Sequence, residues 1–300
     1  MSSKFSQEIF DKKYREKLLS TFERTIDFLD KKDISWCACG GTALGAVRHH
    51  GLIPWDDDID IWVPRDDYNK LRSIKEELSD YGLELVTLQD SSGYYNVMAK
   101  VCDTNSTLIE FQSLQYPMGI YIDIFPLDST DTTAEDFLEK HNEVFNWRIN
   151  YQESLYHFSF KYIASLIKGF HIKTLRKELM TIPKRKHRDF YRKELIRAES
   201  VLANGKTGHF VCAIGGSYME KEMIPYNVVF PVSRLNFEGM TINVPANVDA
   251  YLTQIYGDYM TPPPVEKQVS HHSHYYCNLR ERLTIEQVKE RIRKGEHLVY

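Results

Sequence analysis

Four aspartates fall within five positions, Asp56-Asp57-Asp58-Ile59-Asp60, and lead directly into Ile61-Trp62-Val63. Like charges this close raise one another's pKa and oppose compaction unless a cation compensates them. From Asp58 onward carboxylate and apolar residues alternate, the period of a half-buried strand. Asp58 and Asp60 then share one face, while Ile59, Ile61 and Val63 point to the other, into a core. Two carboxylates held on a strand offer hard oxygen ligands of the kind Mg²⁺ accepts beside substrate phosphates. A solvated acidic turn is the other reading of the same residues.

Two neighbouring features bear on that choice. Gly40-Gly41-Thr42 follows the strand-like run Ile34–Cys39 and precedes a short helical stretch, Thr42–His50, with Thr42 a candidate N-cap. Glycines at such a turn let backbone N–H groups approach a phosphate, and a helix N-terminus adds a favourable dipole. Asp123 sits between Ile122 and Ile124 on a second strand-like run, Tyr121–Phe125, ended by Pro126. It could turn a third carboxylate toward the same cation. Phosphate cradle, carboxylate pair and third carboxylate, in that order, make the constellation of a nucleotidyltransferase-type site.

The rest of the chain supplies a frame for such a site. Apolar spacings of three and four predict a helix over Glu8–Lys31, and another is expected over Arg65–Asp80. Leu83–Leu88, Tyr94–Lys100 and Thr107–Phe111 read as strands. Residues 133–204 are helical in pattern, 230–244 a strand pair around Glu238-Gly239, and 249–256 and 284–294 short helices. The economical organisation is one domain over 1–300. It comprises a catalytic core (1–130), a helical, partly basic insertion (131–215) and a C-terminal part completing the site (216–300). The fold class expected is α/β (α+β), a mixed sheet with flanking helices.

Composition narrows the function classes. With 38 Lys and Arg against 42 Asp and Glu, the formal charge of −4 carries no nucleic-acid footprint. Residues 161–200 run the other way, with 12 basic residues against 4 acidic ones. The five cysteines form no CxxC pair and no zinc pattern, which fits a reducing compartment. A charged amphipathic N-terminus and the lack of any long apolar run point to a cytoplasmic protein.

The run Gly40-Gly41-Thr42-Ala43-Leu44-Gly45-Ala46-Val47-Arg48-His49-His50-Gly51-Leu52-Ile53-Pro54-Trp55-Asp56-Asp57-Asp58-Ile59-Asp60 closely resembles the LicD family. These are bacterial phosphocholine transferases related in this segment to fukutin and fukutin-related protein. Tyr121-Ile122-Asp123-Ile124-Phe125-Pro126-Leu127-Asp128 and Tyr256-Gly257-Asp258-Tyr259-Met260 are similar to later family signals. The resemblance implies a nucleotidyltransferase-like fold, Mg²⁺ or Mn²⁺, and a CDP-alcohol donor such as CDP-choline. The implied reaction moves a phospho-alcohol onto a sugar hydroxyl of a cell-surface glycan or its lipid-linked precursor, a teichoic acid or lipopolysaccharide, and releases CMP. Asp58 and Asp60 would hold the metal; Asp123 would complete its shell or accept the proton of the attacking hydroxyl.

Donor contacts are expected from Gly40, Gly41, Thr42, Arg48, Trp55, Asp57, Lys100 and His271. Arg48 suits a diphosphate clamp, and Trp55 is either a packing anchor or a stacking surface for a base or quaternary ammonium. The basic run Lys184-Arg185-Lys186-His187-Arg188, with Phe158, Phe160, Tyr162, Phe170, Phe190 and Tyr191 nearby, reads either as an interfacial surface for peripheral membrane contact or as an ordinary bundle. Two other functions remain open: a small-molecule nucleotidyltransferase releasing pyrophosphate, and an inactive binding protein on the same fold.

Overall fold

The computed structural model describes residues 2–157, 163–164, 167–170, 172–200, 208–270 and 274–299. Its first part holds α1 (Ser2–Lys31), β1 (Cys37–Ala38), α2 (Gly40–Arg48), β2 (Asp60–Pro64), α3 (Arg65–Ser73), β3 (Leu83–Val86), β4 (Ala99–Asp103), β5 (Thr107–Ile109) and β6 (Tyr121–Thr130). Helices α4 (Ala134–Leu155), α5 (Ile172–Thr181) and α6 (Arg188–Glu199) follow. After them come β7 (Phe210–Cys212), β8 (Ile224–Pro225), β9 (Ser233–Phe237), β10 (Met240–Val244), α7 (Val248–Tyr256), β11 (Tyr276–Asn278), α8 (Ile285–Arg293) and β12 (Leu298–Val299). This is the mixed α/β architecture that the residue pattern predicts.

The principal sheet runs β1-β2-β6-β4-β3, with β7 beside β6 and β8 beside β7. Within it β2 and β6 are parallel and the remaining pairs antiparallel. Register decides the chemistry here. Asp60 stands opposite Asp123, and Asp123 opposite Lys100, so three strands contribute one row of ionisable side chains to a single face. Along α1, Leu18, Phe22, Ile26 and Leu29 repeat at spacings of three and four and are buried against the sheet. Burying each such side chain contributes about 1.5–3 kcal/mol, which anchors the strands that carry the row. A second apolar cluster joins α4 and α6 through Phe137, Val144, Tyr151, Leu195 and Ala198, and includes Val97 and Ile214 of the core loops.

Several expectations are corrected. Helix α2 begins at Gly40, two residues earlier than expected, and Cys39 is its N-cap. Thr42 is instead buried inside the helix, where its hydroxyl accepts the Asp60 N–H at 2.8 Å. Strand β6 does not stop at Pro126 but continues to Thr130. On its antiparallel edge β4 pairs only as far as Ile124 and β7 starts at Asp128, so Pro126 falls in a gap that requires no N–H. Strand β4 lies at 99–103, displaced from the expected 94–100. Tyr94 instead turns its hydroxyl onto the Met98 carbonyl and closes the preceding loop. After α7, Gly257 has φ +72 and ψ −120, a region open to glycine but distinct from the left-handed helical one.

The basic run is also used differently from a free cationic surface. Lys184 bonds Asn150 and Glu153, Arg185 the carbonyl of Tyr156, and Arg188 the carbonyl of Ser154. These contacts satisfy the last turn of α4, where cations meet the negative end of the helix dipole. Phe158, Phe160 and Tyr162 lie outside the described residues. Among those described, no helix is long and apolar enough to cross a membrane.

Candidate active site

The site is built where β2, β6 and β4 run side by side. Carboxylate oxygens of Asp58, Asp60 and Asp123 come within 4.8 Å of one another. Asp123 is 5% exposed, and its Oδ1 accepts a 2.8 Å hydrogen bond from Lys100 Nζ. That ammonium also lies 3.8 Å from Glu110 Oε1 and 3.2 Å from the centre of the Tyr121 ring. Glu110 in turn accepts hydrogen bonds from Tyr95, at 2.6 Å, and from Tyr121. The network fixes Lys100 from below and presents Asp123 toward Asp60.

Electrostatics mark this corner as short of positive charge. Burial pushes the Asp60 carboxyl well above the usual carboxylate range, and the charges of Asp58 and Asp123 push it further. Asp123 is raised by burial as well, held back by Lys100. Burial pulls Lys100 down, but Asp123 and Glu110 outweigh it and raise the ammonium. Among the described residues no hydrogen bond reaches the Asp60 carboxylate. Hard oxygens from three side chains, converging and under-compensated, fit a divalent cation.

A cleft of about 620 Å³ opens beside this row. Gly40, Gly41, Arg48, Trp55, Asp56, Asp58 and Asp60 line it from the first part of the chain; Ser217, Tyr218, Tyr256, Asp258 and Tyr259 line it from the last. Gly40 has φ +52, and its N–H is taken by the Tyr251 hydroxyl at 2.8 Å. A side chain at Gly41 would place Cβ 2.5 Å from Asp56 Oδ2. Arg48 donates to the Tyr259 carbonyl at 2.8 Å and stands over the Trp55 ring at 5.9 Å. It faces no carboxylate partner among the described residues, which leaves its charge available to an anion. Trp55 packs its body on the main core while one side lines the cleft.

Three expected donor contacts stand elsewhere. Lys100 is engaged with Asp123 below the cleft, and the Thr42 hydroxyl is spent on the Asp60 backbone. Asp57 accepts from Ser270 at 2.6 Å with His274 at 3.6 Å, while its carboxylate stays within 4.8 Å of those of Asp56 and Asp58. His271 lies outside the described residues. Sequence reasoning missed Asp56, Tyr218 and Tyr256 as cleft residues. The Tyr218 and Tyr256 rings meet edge-on at 5.2 Å, from segments with no local signal linking them to the acidic strand.

The mixed sheet gathers three carboxylates beside a Gly-Gly helix start, an arrangement suited to binding a divalent cation and a phosphate. Residues 33–167 match the model of the LicD/FKTN/FKRP nucleotidyltransferase domain, which makes this segment a LicD-type transferase domain. It is 29% identical over 256 residues to the lipopolysaccharide cholinephosphotransferase LicD of Haemophilus influenzae, covering 81% of this chain and 88% of that protein. Two shorter matches, each 36% identical, are to the uncharacterized proteins RP689 of Rickettsia prowazekii and RT0683 of Rickettsia typhi. They cover 30% and 25% of this chain and 35% and 26% of those proteins.

Proposed function

We propose that this protein transfers phosphocholine from CDP-choline to a sugar hydroxyl of a cell-surface glycan or its lipid-linked precursor, releasing CMP. The observation that carries the reading is the convergence of Asp58, Asp60 and Asp123 within 4.8 Å, where burial and the neighbouring carboxylates outweigh Lys100 at Asp60. Asp58 and Asp60 hold Mg²⁺ or Mn²⁺, and Asp123, anchored by Lys100, completes the set. The bound cation supplies charge neutralisation across the donor diphosphate. Arg48, which lines the same cleft, binds the same phosphates. Choline is favoured over other alcohols by the aromatic lining of Trp55, Tyr218, Tyr256 and Tyr259, since a quaternary ammonium is held best by ring faces. A relative of similar length named a cholinephosphotransferase agrees with that choice.

In the reaction the donor's phosphoanhydride bond breaks, a new P–O bond forms to the acceptor oxygen, and the hydroxyl proton passes to a carboxylate or to solvent. We read residues 1–130, 131–215 and 216–300 as parts of one functional unit, because the last part lines the same cleft as the acidic strand. A lipid-linked acceptor brings the protein to the inner membrane face without spanning it.

The test is incubation with CDP-choline, CDP-ethanolamine, CDP-glycerol and CDP-ribitol in Mg²⁺, following CMP. CMP release strongest with CDP-choline supports the proposal. Pyrophosphate release from a nucleoside triphosphate, with no CMP from any CDP-alcohol, replaces it with a small-molecule nucleotidyltransferase. Neither product, in a folded protein, leaves an inactive binding protein.

A further inference from the structure

The loop at Gly216-Ser217 has two sides. One side faces the carboxylate cleft; the other closes a separate pocket of about 260 Å³ against α4. The pocket contains two polar side chains whose hydrogen-bonding capacity the fold does not fill. His141, 8% exposed, places Nε2 at 3.0 Å from the Gly216 carbonyl. A carbonyl only accepts, so Nε2 carries the hydrogen, and the second ring nitrogen is left to seek its own partner. That nitrogen, Nδ1, is buried and has none among the described residues. Leaving a buried polar atom unpaired is unfavourable, and a ligand that bonds it removes that cost.

Arg148 lies seven residues further along α4, two turns up the same face and about 10 Å away along the helix axis. It is half-buried, and its guanidinium stands over the Phe145 ring at 5.3 Å. Among the described residues it has neither an ion pair nor a hydrogen bond. Burial lowers its pKa with no carboxylate to oppose the effect, which is the signature of a desolvated cation without a counter-ion. Val97 and Phe145 supply apolar wall between these two polar ends.

We propose that this pocket is a subsite for an acidic sugar of the acceptor. The guanidinium of Arg148 holds a phosphate or carboxylate, Nδ1 of His141 accepts from a ring hydroxyl, and Phe145 covers the ring face. The assignment as an acceptor subsite rests on the transfer reaction proposed above. The anion site itself rests only on this pocket. Gly216 and Ser217 also line a small pocket beside Asp60, and Ser217 lines the cleft itself, so a glycan seated here borders the carboxylate site.

Calorimetric titration of the full chain with glucose 6-phosphate, glucuronate, glucose and inorganic phosphate tests it. The acidic sugars are expected to bind at least tenfold more tightly than glucose, and whichever of the two binds better tells phosphate from carboxylate. Arg148→Gln is expected to weaken the acidic sugars tenfold or more. His141→Gln keeps a donor for the Gly216 carbonyl and removes Nδ1, so it should weaken the sugars several-fold and inorganic phosphate little. Acidic sugars that bind Arg148→Gln as tightly as the wild type, no tighter than glucose, or not at all overturn the proposal. CMP release by the same wild-type preparation is scored separately. Its absence, with the Arg148-dependent binding intact, removes the transfer reading and leaves the anion site standing.

Discussion

At one end of the β2–β6 pair, Arg65 reaches two buried carboxylates; at the other, three carboxylates face one another with a single lysine behind them. The first end is saturated. Arg65 grips both oxygens of Asp128 at 2.8 and 2.7 Å and Glu199 Oε1 at 2.5 Å, while Gln89 donates to Glu199 Oε2 at 3.1 Å. Every carboxylate oxygen there has a donor, so the cluster has no capacity left for a ligand and serves to lock α6 to the sheet. At the second end the Asp60 carboxylate accepts no hydrogen bond among the described residues, and Lys100 is divided between Asp123 and Glu110. The same pair of strands thus carries an ion cluster that holds the fold and another that the fold leaves incomplete. Both clusters are acidic, but Asp128 and Glu199 are buried and fully met by donors, whereas Asp58 and Asp60 are half-buried and line the cleft.

The largest effect should come from removing charge at the incomplete end. Asp58→Asn and Asp60→Asn are each expected to lower CMP release about a thousandfold or more, several kcal/mol of lost metal-centred stabilisation. The melting temperature should hold or rise, because a neutral amide in place of the Asp60 carboxylate no longer repels its neighbours. Activity near wild type in a folded Asp60→Asn protein would erase the contrast between the ends. Arg65→Met is the converse. It strands Asp128 and Glu199 without their cation and should cost about 3–5 kcal/mol in urea unfolding.

A third buried carboxylate sharpens the comparison through pH. Burial pushes Glu222 up to about 7, although N–H groups of Tyr218 and Ser217 pull it down. The unfolded chain ionises this group near 4.5, so between there and about 7 only the unfolded state loses its proton. Stability must therefore fall as pH rises through that window, by on the order of 3 kcal/mol in total. Glu222→Gln should flatten that part of the stability curve. The smallest effect expected is that of Thr42→Val. It removes the acceptor for the Asp60 N–H and should cost about 1–2 kcal/mol, with a measurable fall in turnover as the carboxylate loses its fixed position.

Much of the incomplete end was legible in the sequence, because alternation places Asp58 and Asp60 on one face and isoleucines bracket Asp123. What local pattern could not supply was register. Lys100 read as a phosphate contact, yet the β4–β6 pairing sets it against Asp123. Nor does periodicity disclose that Arg65, Asp128 and Glu199 meet, since their union depends on where α6 docks. The same holds for Tyr218 and Tyr256, brought to the cleft by segments that carry no motif. Pro126 misled for another reason: a proline ends a strand only where a neighbour needs its N–H, and here no neighbour does.

The parallel pairing of β2 with β6 has a consequence for the order in which the chain folds. Arg65 and Asp128 are 63 residues apart, and closing a loop of that length costs roughly 4 kcal/mol of entropy before any rung forms. Opposite charges at Arg65 and Asp128 favour making that first contact, and the zipper then advances rung by rung toward Asp60 and Asp123, where repulsion resists its last step. Arg65→Met should therefore act mainly by slowing folding, and Asp60→Asn mainly on the unfolding rate. If those rates are found, the carboxylate corner is the last part of the sheet to close and the first to open, and a chain that has lost it can still keep most of its fold.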